Sequence, residues 1–314
     1  MPALIQFKNL TKQYGKKIVL KDVNLEVNKG EIFGIIGMSG SGKTTLLNTL
    51  IGFLEPEEGD ILYYSKKEKQ HKSVFKNTLE VRKKFGFATQ VPSYYPKLTI
   101  EENLDHFGTL YDIPKRIKKN NTANLLKMIG LESEKDQLAQ TLSGGMEKRL
   151  GIACSLVHNP EVLILDEPTA NLDPVLRDGT WDLIKSINKI GATVIVASHL
   201  LEELEPVCDR IGILHNHAII EVGTPDQLKG HYSKNEEIRL KLSGKQDQIE
   251  RAMKKSRYIA KLKKEEGYLI FYTSEPVKAL YQILNLVDKL KERIISLEAS
   301  KPSLKEIFES IYHK

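Results

Sequence analysis

The chain reads as an α/β fold with a mostly parallel sheet, and three observations carry that reading. Continuous apolar runs at residues 32–36, 162–165 and 193–197 have the length and uniform character of strands buried on both faces. Helically spaced segments, 45–51 and 175–190, follow the first two. Polar, chemically capable residues stand where each run stops: Gly37 to Thr44, Asp166 with Glu167, and His199. In α/β sheets the carboxyl ends of the strands are where ligands bind.

The first run leads into Gly37-Met38-Ser39-Gly40-Ser41-Gly42-Lys43-Thr44, which fits the phosphate-loop pattern G-x-x-x-x-G-K-[ST]. Glycines let the backbone curl so that successive N–H groups face one concavity, and the helix N-terminus adds partial positive charge. Lys43 can reach the outer phosphates of a nucleotide, and the Thr44 hydroxyl can sit on a bridging Mg2+. The competing reading is a glycine-rich connection that happens to hold a lysine. A strand before it and a helix behind it tell against accident.

Composition sets the outer bounds. With 314 residues, 40% hydrophobic and 28% charged, the chain has room for one large domain or a large and a small one. Its two cysteines, Cys154 and Cys208, sit in apolar settings, so a reduced cytosolic compartment is expected rather than a disulfide framework. The first residues lack a basic region followed by a long apolar core, and no apolar run nears the ~20 residues that span a bilayer. Service to a membrane would therefore go through a partner. The formal charge of +6 resides after residue 230, where 18 Lys+Arg face 12 Asp+Glu. There lysines alternate with glutamates, which fits a solvated face better than a nucleic-acid or lipid surface.

Taken in order, residues 5–10 and 19–27 alternate in character around a turn at Gly15 and read as short strands. Tyr14, in that turn, can stack on a purine or be a packed surface ring. Residues 57–64 form a turn leading into a strand, and the basic stretch 66–84 reads as a surface excursion without a core face. Residues 85–90 read as a strand ending in Gln90, a Mg2+ or water ligand if it adjoins the phosphate site and otherwise a loop amide. From 99 to 130 the pattern is helical, with Thr99 and Glu102 spaced as a capping box. Leu142-Ser143-Gly144-Gly145-Met146 then opens a helix, which is either a second anion-binding turn or an ordinary helix start. The strand 162–165 ends in Asp166 and Glu167. Paired carboxylates there are costly without a nearby cation, so Asp166 suits a Mg2+ shell and Glu167 suits an attacking water. Asp173 lies in the turn before helix 175–190, and His199 ends the run 193–197, either structural or in reach of a terminal phosphate.

Together these residues, in this order over about 5–223, resemble the nucleotide-binding subunit of an ATP-binding cassette (ABC) transporter. Leu-Ser-Gly-Gly at 142–145, shortly before the acidic strand, is the most specific part. The resemblance implies a P-loop NTPase core in which the parallel sheet is joined by an antiparallel β subdomain and a helical subdomain. It implies that Tyr14 stacks on adenine, and that Gly37, Met38, Ser39, Gly40, Ser41, Gly42, Lys43, Thr44 and Thr45 hold ATP. Thr44, Gln90 and Asp166 would serve Mg2+, Glu167 would act on water, and His199 would sense the γ-phosphate. Leu142, Ser143, Gly144, Gly145 and Met146 would close on ATP held by a second ATPase subunit, with Asp173 communicating across the interface. Met146 replaces a common glutamine and resembles the ABC-2-type exporter subgroup. Implied partners are an integral-membrane permease and a second copy of the chain, with no nucleic acid, at the cytoplasmic face of the cell membrane.

A division at 1–230 and 231–314 is expected. The second part reads as strands 236–242, 257–263, 268–273 and 293–298 with helices 246–255 and 276–291, the β-α-β-β-α-β order of a ferredoxin-like domain. The ending Pro302-Ser303-Leu304 with Phe308 resembles the close of ABC-2-type ATPases. The rival functions are a soluble ABC ATPase acting on ribosomes or nucleic acid, and a nucleotide-dependent module without turnover. One cassette and no heptad run tell against the first; Glu167 and His199 tell against the second.

Overall fold

The computed structural model describes residues 2–232, 236–265 and 267–300. It divides into two compact units, Met1–Thr224 and Pro225–Lys314. In the first, strands β1 (Ile5–Tyr14) and β2 (Lys17–Val27) turn at Gly15, whose φ of +61° suits glycine. After β3 (Ile32–Ile36) come helix α1 (Lys43–Leu50), strands β4 (Glu58–Ser65) and β5 (Gln70–Ser73), helix α2 (Thr78–Lys84) and strand β6 (Phe85–Ala88). Helices α3 (Ile100–Leu110), α4 (Lys115–Met128) and α5 (Gly144–Leu156) precede β7 (Val162–Asp166), α6 (Pro174–Lys189), β8 (Thr193–Ser198), α7 (Leu201–Leu204), β9 (Arg210–His215) and β10 (Ala218–Gly223).

Two sheets result. One is antiparallel in the order β2-β1-β4-β5; the other runs β10-β9-β3-β8-β7-β6 and is parallel apart from the β9–β10 pair. Every residue of β3, β7 and β8 is buried, because helices and the antiparallel sheet cover both faces. Phe33, Ile35, Ile164 and Ile195 meet Leu46, Leu47 and Leu50 of α1 and residues Ile5, Leu20 and Ile61 of the antiparallel sheet in one core cluster. Burying side chains of this size contributes about 1.5–3 kcal/mol each.

Register decides what gathers at the sheet edge. Ile36 pairs with Ser198, Ala197 with Asp166, and Leu165 with Ala88. The carboxyl ends of β3, β8, β7 and β6 therefore lie level, in that lateral order. The phosphate-type loop, His199, the Asp166–Glu167 pair and Gln90 follow those ends directly.

Three local expectations are corrected. The basic stretch 66–84 has a core face: Val74 and Val81 are fully buried, and β5 and α2 form within it. Its lysines mask two well-placed valines. The helical stretch 99–130 breaks at Tyr111–Pro114, because proline disfavours helical backbone in Ile113 and Pro114 becomes the N-cap of α4. Thr99 and Glu102 do form the capping box of α3, each bonding the other's backbone N–H.

In the second unit, α8 (Pro225–Tyr232) precedes β11 (Glu236–Leu242), α9 (Gln246–Met253), β12 (Lys261–Glu265), β13 (Tyr268–Thr273), α10 (Pro276–Leu290) and β14 (Ile294–Ser300). The sheet order β12-β13-β11-β14, antiparallel throughout, is ferredoxin-like. Ile238, Leu240, Phe271, Ile249 and Ile283 form its core. The third correction falls here, since residues 257–260 stay outside β12. The ending at Pro302–Phe308 lies outside the described residues.

Candidate active site

The loop after β3 is shaped by its glycines. Gly40 and Gly42 have φ of +79° and +108°, where a β-carbon is strained, and a β-carbon on Gly37 would lie 2.8 Å from the Leu214 carbonyl oxygen. The resulting turn delivers Lys43 as the first residue of α1, 6% exposed. Its ammonium donates to the carbonyls of Gly37 at 2.8 Å and Met38 at 3.3 Å, and pairs with Glu167 at 3.3 Å. A cleft of about 290 Å³ opens beside it, lined by Ser39, Gly40, Gly42, Thr44, Thr45, Val19, Gln90, Glu167 and His199 as well as Lys43. That lining, a lysine with loop amides and hydroxyls at a helix N-terminus, suits the phosphates of a nucleotide.

Asp166 ends β7 with 2% exposure, and its Oδ1 is buried without a hydrogen-bond partner. Burial pushes its carboxyl above the usual range; the neighbouring Thr44 hydroxyl pulls the other way, Glu167 adds repulsion, and Lys43 partly offsets both. Glu167 follows at φ +50°, a costly backbone state for this residue, anchored by its amide on the Ala197 carbonyl at 2.9 Å. Its carboxylate has a partner on each oxygen: Lys43 on one and His199 Nδ1, 2.7 Å away, on the other. A carboxylate only accepts, so Nδ1 carries the hydrogen. An unpartnered carboxylate oxygen beside a hydroxyl, with the Gln90 amide lining the same cleft, is an all-oxygen donor set that fits Mg2+.

Other expected residues lie elsewhere. Ser143 is the N-cap of α5, accepting from the Met146 amide at 3.4 Å, and Ser143 and Gly144 are exposed. A β-carbon on Gly144 would meet open space, whereas one on Gly145 would lie 3.0 Å from the Leu176 side chain. Leu142 is buried beneath the turn. Asp173 caps α6 by accepting from the Leu176 amide at 3.0 Å. Neither that aspartate nor the Ser143 turn lines the cleft of its own chain. Tyr14 is half exposed at the end of β1, with Lys12 5.6 Å from its ring centre, and is also outside the cleft lining.

Two residues escaped the sequence reading. Lys148, one turn into α5, donates to the Gln90 carbonyl; burial lowers its pKa while Glu167, Asp166 and Glu147 draw it back up. Glu203 of α7 is buried against Thr169 and Arg177. Each partner is remote in sequence, so spacing carries no signal of them.

Comparison with known proteins gives a consistent picture. The family description for ABC transporters matches residues 20–170. The linearmycin resistance ATP-binding protein LnrL of Bacillus subtilis (strain 168) is 31% identical over 307 residues, covering 97% of each chain. The bacitracin transport ATP-binding protein BcrA of Bacillus licheniformis is 36% identical over 241 residues, 76% of each. Among solved structures, cbiO1 of Clostridium perfringens, described as part of the ABC transporter complex cbiONQ, superposes with a TM-score of 0.65 and 26% identity. That match covers 81% of this chain and 96% of the other.

Proposed function

The chain belongs to the ABC transporter family, as an ATP-binding subunit whose ATPase activity is coupled to transport, and on that footing we propose how its residues share the work. Lys43 leaves its loop carbonyls and Glu167 to hold the β- and γ-phosphates, joined by the backbone N–H groups of residues 37–45. Thr44, Gln90 and Asp166 would hold Mg2+, which would supply neutralisation of phosphate charge when bound. Freed of Lys43, Glu167 orients the attacking water and accepts its proton, with His199 steadying the carboxylate and reaching the γ-phosphate. Catalysis is then positioning and electrostatics in a partly dry cleft. Tyr14 stacks on adenine once nucleotide extends past Val19.

The observation that carries the rest is the exposed Ser143–Gly144 turn, a helix N-terminus suited to anions that lies outside the cleft lining of its own chain. A second copy, docked head to tail, supplies it, and Leu142 to Met146 of each chain close the other's site while Asp173 spans the interface. ATP binding thus shifts open dimers to closed ones, and hydrolysis reverses the shift. The mechanical partner is a separate permease. Among the described residues no helix is long and apolar enough to cross a membrane. The segment at residues 90–98, where Val91 and Tyr95 are exposed, is the natural receiver for a permease helix. The subunit would sit at the cytoplasmic face of the cell membrane. Export is the favoured direction, because Met146 marks that subgroup and the match to the resistance protein extends through the second unit. Affinity capture from detergent-solubilised membranes tests this: a multi-spanning partner supports it, and ribosomal proteins would overturn it.

A further inference from the structure

Beyond the residues that would touch nucleotide lies a buried carboxylate with no place in that chemistry. Glu203 is 8% exposed and Thr169, whose hydroxyl donates to Glu203 Oε2, is 3% exposed. The other oxygen, Oε1, pairs with Arg177 Nε at 3.0 Å. Oε2 is hydrogen-bonded, while Oε1 and Arg177 Nε meet as an ion pair without hydrogen-bond alignment, so removing either partner leaves a buried charge exposed to its full desolvation cost.

What the partners hold is informative. Glu203 is four residues beyond His199, in α7; its amide donates to the Leu200 carbonyl at 3.3 Å, and the Leu200 amide donates to Ser198 Oγ at 3.0 Å. Thr169 lies two residues beyond Glu167, and its carbonyl accepts from the Leu172 amide at 3.3 Å. Arg177 donates Nη2 to the Leu172 carbonyl at 3.3 Å and its own amide to the Asp173 carbonyl at 2.9 Å. One carboxylate therefore joins the His199 segment to the turn that ends at Asp173.

We infer that Glu203 is a positioning residue that couples the His199 segment to the Asp173 turn, so that the state of one ATP site biases the other. The inference rests on the two-site dimer proposed above. Events at the γ-phosphate displace the His199 segment; Glu203 passes the shift to Thr169 and Arg177, and Asp173 carries it across the interface.

The test is a double-mutant cycle on the full chain, with Glu203→Gln, Asp173→Ala and the pair, reading kcat, KM and cooperativity in ATP. Glu203→Gln should lower kcat about tenfold with KM held within about twofold, and should remove cooperativity. In the Asp173→Ala background it should add less than about twofold, since both act through one path. Multiplicative losses, or undiminished cooperativity in Glu203→Gln, would overturn the inference. Should that variant fold poorly, Thr169 carries the test: Thr169→Val should reproduce the loss and Thr169→Ser should restore it, and failure of the serine to do so would sink the idea. An unsubstituted protein that is non-cooperative and indifferent to dilution also overturns it, but there the dimer itself fails.

Discussion

The Lys43 ammonium lies 3.3 Å from Glu167 Oε1, and both side chains are nearly buried. Each group thus neutralises the other at the centre of the cleft, while Gly37 and Met38 carbonyls take up the remaining Lys43 hydrogens. A triphosphate must displace this pair, and in doing so it frees the carboxylate for water. Binding and activation of the base become one event. Glu167→Gln keeps the shape, weakens the pairing and removes the base. Steady-state turnover should fall about 10²–10⁴-fold with ATP binding retained, and size-exclusion chromatography should show an ATP-dependent dimer that no longer resolves.

A bulky residue at Ser143 should separate binding from turnover. Ser143 is exposed and outside the cleft lining of its own chain, so Ser143→Arg should leave binding of a fluorescent ATP analogue to the monomer within about twofold while turnover collapses. Because Ser143 also caps α5, its loss costs about 1 kcal/mol on its own. Ser143→Asn keeps a capping oxygen and controls for that. Unchanged turnover in Ser143→Arg would mean that each chain works alone.

Local spacing explains why some of this was legible in sequence and some was not. The loop 37–44, the Thr99–Glu102 cap and the buried strands β3, β7 and β8 are set by neighbours within a few residues, so the chain displays them directly. Val74 and Val81 are buried by contacts from distant elements, and their lysine neighbours hide them. Lys148 meets Gln90 across 58 residues, and Thr169 meets Glu203 across 34. Register of the parallel sheet creates those meetings. Tyr14 illustrates the same limit: its position in a turn is readable, but its distance from the cleft depends on how the β1–β2 hairpin is carried.

Gly86 should be intolerant of any side chain. A β-carbon there would lie 2.2 Å from the Ser155 carbonyl oxygen in the last turn of α5, so strand β6 and that helix would have to separate. Backbone cannot swing aside as a side chain can. Gly86→Ala is expected to destabilise the first unit by about 1–3 kcal/mol, seen as a lower urea midpoint. Gly144→Ala, where a β-carbon meets nothing within 4 Å, is the control and should unfold as the parent does.

His158 should make the first unit acid-sensitive. Its ring stacks on Tyr111 with centroids 3.8 Å apart and planes 9° apart, and Nε2 lies 3.2 Å from the Phe85 carbonyl. Nδ1 is buried with no hydrogen-bond partner among the described residues. Burial lowers its pKa from 6.5 to about 4, with the Phe85 bond opposing in part. The neutral ring is therefore favoured in the folded chain, while the unfolded chain protonates near 6.5. Between those values the unfolded state binds more protons, so this contribution is fully present above pH 6.5 and declines as pH falls toward 4. By pH 5 the loss is about 2 kcal/mol, from ~1.4 kcal/mol per pH unit. His158→Phe keeps a ring on Tyr111 and cannot titrate. Urea unfolding of both proteins from pH 7 to pH 5 isolates the effect: the parent should lose about 2 kcal/mol more than the variant, and parallel pH dependences would show that His158 is not the group responsible.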